Sequence, residues 1–296
     1  MSIDKDTKFI IKQLLDSQEL NIYWNSENTL DILRGVTNHI MKKESNKDKN
    51  KMIEKIFTHS LYVRRFSIYI LEKDENLNTK ENLNKLLIAA TFHDLSKILE
   101  YNIENYNDDI HAEYSEYMTD LILKKQNKLN NNDIKEICKM IKYHSLKGNK
   151  CPKDASKLDK ILMDADLLDE KCGQRFFKLC MSIYTQEVFS IRIKEKIEEK
   201  RKKKGKTKLK NKQINAIIEN CKKDNLNHEN YELLYKIIYK YKNENKQKIN
   251  EKSVIPELSK QVYEEQILIS DSLFASAEVF AFVDDYFNEI VNTINK

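Results

Sequence analysis

Glycine and proline are scarce in this chain, and their scarcity constrains the fold more than any other feature. Only 4 glycines and 2 prolines occur among 296 residues, whereas 33% of the residues are charged. Folds rich in β-structure need tight turns, and tight turns draw on glycine and proline. Apolar residues also recur at helical spacing, as at Ile53, Ile56, Val63 and Ile70. The composition therefore predicts an all-α protein, long enough to bury a sizeable core.

Helix boundaries follow from the same periodicity. Lys42 to Lys51 is polar and is predicted to be a loop. Helices are predicted from about Met52 to Glu72, Glu81 to His93, Asp108 to Lys124 and Asn131 to His144. A further helix is expected to carry the acidic segment at residues 164–169.

Charge is unevenly distributed along the chain. The formal net charge is +5, but the segment from Arg192 to Lys212 holds 12 lysines or arginines against 3 glutamates, so the remainder sums to about −4. The rest of the chain is therefore not expected to bind nucleic acid in general. Two interpretations of the basic segment stay open: a solvated helix face or linker, and a surface that contacts the phosphates of a polyanion.

The cysteines and the chain start indicate the compartment. Five cysteines form no C-x-x-C pair, and an odd number fits free thiols in a reducing environment. The charged first residues and the short apolar runs predict neither a signal peptide nor a membrane span. We therefore expect a cytoplasmic protein that has no membrane partner.

The strongest chemical signal is the adjacent pair His93 and Asp94, which follows an apolar run from Leu86 to Phe92. An imidazole and a carboxylate side by side can both bind one metal ion. A buried carboxylate also needs a compensating charge, which a metal cation supplies. The alternative is a salt bridge from Asp94 to Lys97 or to a distant arginine.

Further histidines and aspartates accompany this pair. They are His59 upstream and, downstream, His111, His144 and the segment Asp-Ala-Asp-Leu-Leu-Asp at residues 164–169. The order of these five stations resembles that of the HD-domain metal-dependent phosphohydrolases, in particular small bacterial members that close with Asp-Ala-Asp-x-Leu-Asp. The resemblance covers about residues 50 to 190. It implies an HD-domain helical bundle, here followed by additional C-terminal helices.

A set of metal ligands is implied by the resemblance. The implied ligands are His59, His93, Asp94 and Asp166. The closing aspartate of the family commonly follows a small residue, which favours Asp166 and leaves Asp164 as the runner-up. On a helix Asp166 and Asp169 share a face, whereas Asp164 points elsewhere.

Three more residues receive roles from the resemblance. In binuclear members of the family, histidines at the stations of His111 and His144 bind a second metal, whereas mononuclear members use them on substrate or water. The sequence thus implies one metal site and leaves a second open. Lys97 would lie on the same face as His93 if the helix continued, facing the substrate phosphate. A solvated surface lysine is the alternative.

Two positions depart from the family pattern. Many relatives carry a basic residue where this chain has Tyr62, so a phosphate contact is not expected there. A glycine often precedes the lysine of the family, and Ser96 stands in its place. We expect this change to alter the turn slightly and to leave Lys97 available.

Chemistry of the implied ligands points to a hydrolase. Two histidines and two carboxylates suit Mn, Fe, Co, Ni or Zn and are workable with Mg. The expected reaction is cleavage of a phosphoester or phosphoanhydride bond by a metal-activated water, with Asp94 also orienting that water. The expected substrate is a nucleotide or a similar small phosphorylated molecule. The alternatives are a nuclease or cyclic-nucleotide phosphodiesterase that holds a polyanion with residues 192–212, and a non-catalytic helical binding protein.

Four parts are expected along the chain. They are N-terminal helices at residues 1–50, an HD-type catalytic domain at 51–193, a basic segment at 194–212 and a C-terminal helical extension at 213–296. A helix from about Gln174 to Ile193 is expected to close the core. The last helix, from Pro256 to Ile294, carries five acids against one lysine from Asp271 onward. It suits docking beside the basic segment, within one chain or in a homodimer.

Overall fold

The structure is a computed structural model that describes residues 3–104, 106–172, 176, 180, 190–205, 209–224 and 228–273. Every regular element in these ranges is helical, which confirms the predicted all-α class. The first α-helices are α1 (Lys5–Leu15), α2 (Asn21–Trp24), α3 (Thr29–Ile40), α4 (Asn46–Glu72), α5 (Lys80–Phe92), α6 (His111–Gln126), α7 (Asn131–Tyr143) and α8 (Lys157–Cys172). They are followed by α9 (Ser190–Lys204), α10 (Asn211–Asp224), α11 (His228–Lys252) and α12 (Pro256–Leu273).

Short polar side chains begin the helices that carry the candidate site. The hydroxyl of Thr79 accepts a hydrogen bond from the backbone N–H of Asn82 (3.2 Å) at the start of α5. The side-chain oxygen of Asn130 accepts from the backbone N–H groups of Asn132 and Asp133, both at 2.9 Å, at the start of α7. These bonds satisfy backbone donors that have no partner within the helix.

The predicted start of α4 is wrong by about two turns. Its helix begins at Asn46, within the stretch from Lys42 to Lys51 that was predicted to be a loop. Ser45 caps it by accepting from the backbone N–H of Asp48 (3.2 Å). The apolar stripe begins only at Met52, so periodicity alone missed the polar first turns that this cap supports.

Smaller differences concern the ends of three other helices. α5 and α7 end one residue earlier than predicted, so that His93 and His144 lie directly after them. α6 begins at His111, because residues Asp108–Ile110 form a separate 3-10 turn. The three histidines therefore lie at helix ends, directly after α5, at the start of α6 and directly after α7.

Helices α4, α5, α7 and α8 form the core around the candidate site. α4 packs against both α5 and α8, and α5 and α8 each pack against α7. Their fully buried side chains include Val63, Phe66, Ile70, Leu86, Ala89, Phe92, Ile137, Ile141, Leu162 and Leu168. Burial of this apolar surface is the main force that holds these helices together. It brings the middle of α4 and α8 close to the end of α5.

The N-terminal helices pack on this core, α3 against α4 and α5, and α1 against α6. A polar contact fixes the junction of α3, α4 and α5. The guanidinium Nη1 of Arg64 donates to the hydroxyls of Thr91 (2.6 Å) and Thr29 (3.0 Å). Thr91 in turn donates to the carbonyl of Leu87 (2.7 Å).

The chain divides into two compact units, one made of Met1–Gln174 with Lys248–Glu264 and the other of Arg175–Gln247 with Glu265–Lys296. The first unit holds all the predicted site residues, together with a piece of the predicted C-terminal extension. Most of the helix predicted at residues 174–193, and the end of the last predicted helix after residue 273, lie outside the described residues. No helix in the described ranges has both the length and the apolar character that a membrane crossing requires.

Replacing Arg64 with methionine should lower the free energy of unfolding by about 2 kcal/mol, because two hydroxyls lose a charged donor in a partly buried position. Urea unfolding followed by circular dichroism measures this change. Arg65→Met is the matched control, because the described hydrogen bond of Arg65 reaches only Tyr69 on its own helix. Equal losses in the two variants would show that the contact to Thr29 and Thr91 adds no stability.

Candidate metal centre

Six predicted site residues come together at one place in the first unit. They are His59 in α4, His93 and Asp94 directly after α5, His111 at the start of α6, His144 directly after α7, and Asp166 in α8. Packing of α4, α5, α7 and α8 is what assembles them, since up to 107 positions separate them in the sequence.

The cluster has a buried floor and a more accessible rim. His93 is 0% exposed and His144 is 2% exposed, so both form the floor. At the rim the side chains of His111 and Lys97 are 17% and 20% exposed. A small molecule would therefore approach from the side of His111 and Lys97.

Three groups converge at the deepest point of the cluster. The Nε2 atoms of His59 and His93 are 2.8 Å apart. Oδ1 of Asp166 lies 3.2 Å from Nε2 of His59 and 4.0 Å from Nε2 of His93. These three side chains form a group that could hold a metal ion.

Asp94 connects this group with the other two histidines. Its Oδ2 atom lies 3.4 Å from Nε2 of His59, and its Oδ1 atom lies 3.5 Å from Nε2 of both His111 and His144. The Nε2 atoms of His111 and His144 are 3.1 Å apart. Asp94, His93 and His144 form a second group of suitable ligands, which shares His93 with the first.

All four imidazoles are held through Nδ1, which leaves Nε2 directed at the cluster. Three of them bond the backbone carbonyl three residues earlier: His93 that of Ala90 (2.9 Å), His111 that of Asp108 (2.7 Å) and His144 that of Ile141 (2.6 Å). His59 bonds Oδ2 of Asp169 instead (2.7 Å). Carbonyl and carboxylate oxygens only accept, so each Nδ1 carries a proton. Metal-binding histidines are commonly oriented in this way.

Protonation of His59 and His93 follows from their surroundings. Burial lowers the pKa of His93 well below its ordinary value, so this imidazole is neutral and its Nε2 offers a lone pair. Burial also opposes the charge on His59, but the hydrogen bonds that its imidazole donates to Asp166, Asp169 and Asp94 outweigh burial and raise the pKa of His59 to about 10. Without a metal, His59 is thus protonated. Its positive charge lies between the carboxylates and the lone pair of His93 and attracts both.

The ligand atoms fit a divalent metal ion. Ligands at about 2.0–2.2 Å from an ion are separated from one another by about 3–3.5 Å in tetrahedral geometry. The separations among Nε2 of His59, Nε2 of His93 and Oδ1 of Asp166 are 2.8 to 4.0 Å. The set combines imidazole nitrogens with carboxylate oxygens, as first-row transition metals prefer. A metal would take the place of the Nε2 proton of His59.

Lys97 reaches the cluster by a different route from the one predicted. The α-helix does not continue past His93, because residues Leu95–Tyr101 form a 3-10 helix. In a 3-10 helix residues three apart lie above one another, so Lys97 lies over Asp94. Its ammonium is 3.1 Å from Oδ2 of Asp94. Lys97 therefore lies at the rim of the cluster, paired with Asp94, and this pair is the salt bridge named above as the alternative to a metal at that carboxylate.

Ser96, the departure from the family glycine, orders the start of α6. Its hydroxyl donates to the carbonyl of His111 (2.8 Å) and accepts from the hydroxyl of Ser115 (3.0 Å). The backbone N–H of Ser96 donates to the same Ser115 oxygen (3.0 Å). The serine thus ties His111 to the segment that carries Asp94.

Asp164 lies away from the cluster and has another task. Its two carboxylate oxygens accept from the hydroxyls of Ser253 (2.5 Å) and Ser259 (2.6 Å) and from the backbone N–H groups of Val254 (2.9 Å) and Ile255 (3.0 Å). It therefore holds the turn between α11 and α12. Asp166 rather than Asp164 therefore lies beside the imidazoles of the cluster.

Two residues at the cluster were not assigned a role from the sequence. Asp169 accepts from Nδ1 of His59, and the sequence hinted at this because Asp169 shares a helix face with Asp166. The ammonium of Lys147 lies 2.5 Å from Oδ2 of Asp166. Lys147 lies in a loop after α7, where no helical periodicity predicts the direction of a side chain. Its spacing of three residues from His144 is the one sequence signal that places it near the cluster.

Comparison with known proteins identifies part of the chain. The family model described as HD domain matches residues 56–171, which is about two-fifths of the chain and includes every residue of the cluster. No curated protein and no solved structure matches the chain.

Replacing Asp166 or Asp164 with asparagine should show that the two aspartates have different roles. Asp166→Asn should weaken Mn(II) binding at least tenfold, on the order expected when a ligand is altered. Asp164→Asn should leave Mn(II) binding within about threefold but lower the free energy of unfolding by about 2 kcal/mol. The reason is that the amide N–H₂ would face hydroxyl and backbone N–H donors that the carboxylate oxygen accepts from. Titration calorimetry and urea unfolding measure the two effects. Loss of Mn(II) binding in Asp164→Asn alone would make Asp164 the ligand.

The raised pKa of His59 predicts how the stability of the metal-free protein depends on pH. Above pH 6.5, the ordinary value of the unfolded chain, the folded state holds one more proton than the unfolded state until the pH passes about 10. The stabilisation from the charged imidazole is complete below that range and is lost as the pH rises through it.

Urea unfolding in a chelator at pH 7 and pH 9 should therefore show lower stability at the higher pH. Saturating Mn(II) should remove this fall, because a metal-bound His59 has already lost its Nε2 proton. A metal-free protein whose stability rises over the same range would contradict the assignment of the charge to His59.

Proposed function

Because residues 56–171 of this chain form an HD domain, we propose that the protein is a metal-dependent phosphohydrolase. HD domains are generally metal-dependent hydrolases, and the cluster of histidines and aspartates could hold a metal. The proposed reaction is cleavage of a phosphoester or phosphoanhydride bond by water. The proposed substrate is a nucleotide or a similar small phosphorylated molecule.

One observation supports the proposal above all others. Four imidazoles keep their Nδ1 protons on oxygen acceptors and direct Nε2 at two buried carboxylates. A core without a functional task has no reason to hold lone pairs and carboxylates this close, since packing apolar side chains there would cost less. The proposed ligands are His59, His93, Asp94 and Asp166, with Mn, Fe, Co, Ni or Zn as suitable ions and Mg as a workable one.

A divalent ion bound here would supply a Lewis acid that lowers the pKa of a water molecule and polarises a phosphoryl oxygen. The chain contributes the positions around it. Asp94 has one oxygen toward His59 and the other toward His111 and His144. A water molecule near Oδ1 of Asp94 can donate a hydrogen bond to that oxygen, which would orient its lone pair toward phosphorus.

Charge at the rim favours an anionic substrate. The ammonium of Lys97 lies on the accessible side of Asp94, where it can stabilise the charge that develops on phosphoryl oxygens. His111 borders the same opening and His144 lies in the floor beneath it. The Nε2 atoms of both face the cluster, because their Nδ1 atoms bond backbone carbonyls. These two histidines can bind a second ion, as in binuclear members of the family, or contact the phosphate directly.

The basic segment supports the second candidate function. In α9 the side chains of Lys194, Lys202, Lys203 and Lys204 are exposed. A row of exposed lysines attracts a polyanion, which suits a nuclease or a cyclic-nucleotide phosphodiesterase. The compact cluster favours the small substrate, and the assay below separates the two.

The cysteines are consistent with action in the cytoplasm, which we propose as the compartment. Among the described residues Cys138, Cys151, Cys172 and Cys180 are free. Free thiols persist where the surroundings are reducing.

The deciding experiment measures phosphate or pyrophosphate release. The substrates are nucleoside mono- and triphosphates, cyclic dinucleotides and short single strands, each with Mn(II), Co(II) or Mg(II). Turnover of a small nucleotide is expected, and Asp94→Asn should reduce it at least a hundredfold, on the order seen when metal sites lose a ligand or its support. Asp109→Asn is the control, because Asp109 is an exposed aspartate in the turn before α6.

The other outcomes are equally informative. Cleavage confined to strands or cyclic dinucleotides would establish the second candidate function, and its rate should then fall steeply with salt. A protein that neither binds a metal nor turns over any substrate would be a helical binding protein.

A further inference from the structure

We propose that Lys147 is a phosphate-contacting residue and that the substrate therefore presents a terminal phosphate with two negative charges. The inference rests on the proposed function and narrows its substrate class. It is carried by the placement of the Lys147 ammonium, by its relation to Lys97 and by the charge of the whole cluster.

Lys147 is placed by a tight turn directly after α7. The backbone N–H of Leu146 donates to the carbonyl of Tyr143 (2.8 Å), and that of Lys147 donates to the carbonyl of Ser145 (3.2 Å). Gly148 follows with φ of 59°, a conformation that favours glycine. The turn brings the side chain of Lys147 back over the cluster, where it is 17% exposed. This exposure resembles that of His111 and Lys97 at the rim.

Asp166 uses its two oxygens for different partners. Oδ1 faces Nε2 of His59 (3.2 Å) and Oδ2 faces the ammonium of Lys147 (2.5 Å). The lysine thus lies beside a proposed ligand without occupying the side of the carboxylate that faces the imidazoles. An ammonium in this position can turn from the carboxylate to a phosphate oxygen with little movement of its long stem.

Lys97 has the corresponding place at the other carboxylate. Its ammonium is 3.1 Å from Oδ2 of Asp94. Among the described residues these two ammonium groups border the cluster, each beside a different proposed ligand. A phosphate group bound at the cluster would have a cation beside each of these two carboxylates.

The charge balance shows why both lysines matter. Three carboxylates contact the imidazoles, namely Asp94, Asp166 and Asp169, and two ammonium groups oppose them. Glu170 is paired with Lys171 and adds no net charge. Each of the two ammonium groups offsets one carboxylate, so the loss of Lys147 would make the surroundings of the ion more negative by one charge. A more negative centre attracts an anion less.

The number of charges on the substrate follows from this arrangement. A terminal phosphate carries close to two negative charges near neutral pH, whereas an internal phosphodiester carries one. Two ammonium groups beside one ion match the dianion better, because its second negative charge strengthens the attraction to the second ammonium group. The inferred substrates are thus phosphomonoesters and terminal phosphates of nucleotides, rather than strands or cyclic dinucleotides.

A purely structural ion pair between Lys147 and Asp166 gives different expectations. In that case Lys147 only neutralises the carboxylate, and its loss should change the affinity for the metal while leaving the affinity for phosphate alone. A phosphate contact predicts instead that the affinity for phosphate falls, whether or not the affinity for the metal changes. The two roles can therefore be separated by measuring both affinities on the same variants.

The experiment uses the full chain and two probes, Mn(II) and inorganic phosphate at pH 8, in titration calorimetry. Lys147→Met should raise the Kd for phosphate of the Mn(II)-loaded protein about tenfold or more, as expected for one charge-assisted hydrogen bond. Its Kd for Mn(II) should stay the same or fall, because a competing cation is gone. Lys147→Arg should restore part of the phosphate affinity, and Lys150→Met, in the same turn but exposed, should change neither value.

A third probe tests the charge of the ligand. Dimethyl phosphate, a monoanionic diester, should bind weakly and should lose no more than about twofold in Lys147→Met, since one charge remains satisfied by Lys97. If the Mn(II)-loaded Lys147→Met variant binds phosphate as tightly as the Mn(II)-loaded wild-type protein does, this inference is wrong while the proposed function stands. A wild-type protein that binds Mn(II) but not phosphate would also contradict this inference alone. A wild-type protein that binds none of the proposed ions and turns over none of the substrates would overturn the proposed function and, with it, this inference.

Discussion

The contact between the Nε2 atoms of His59 and His93 at 2.8 Å is the constraint on which the rest of the site depends. His93 is neutral and offers a lone pair there, so the facing nitrogen must carry a cation. In the metal-free chain that cation is the proton of His59, which Asp166, Asp169 and Asp94 stabilise against burial. A divalent ion can replace the proton and satisfy the same groups. The site is thus built so that metal binding and proton release are one exchange.

The residues around the cluster are arranged so that replacement of the His59 proton by a metal ion would leave the surrounding helices in place. The helices α4, α5, α7 and α8 hold the ligands on a packed apolar core, which resists displacement when the charge at its centre changes. Ser96 fixes the start of α6, and Asp164 fixes the turn between α11 and α12. These polar contacts lie outside the cluster, so they stabilise its supports without competing for the ion.

We propose that the lysines at the rim give the cluster a second property, which is attraction for an anion. Asp94 and Asp166 each have an ammonium group beside them, one from a 3-10 helix and one from a loop. Neither element has regular α-helical geometry, and both follow directly after a histidine of the cluster. Irregular backbone after a helix end allows a long side chain to turn back over the residues that precede it.

The sequence by itself determined the all-α class and the order of the candidate metal-binding stations. His93, His111 and His144 each bond the carbonyl three residues earlier, a contact that depends only on neighbouring backbone. The start of α4 was missed because its first turns are polar and rest on the cap at Ser45. Only the tertiary structure decided the partner of His59, since Asp169 is 110 residues away and reaches it through the packing of α4 on α8. The same holds for Lys147, because the direction of a loop side chain is set by the turn that carries it and by the carboxylate it meets.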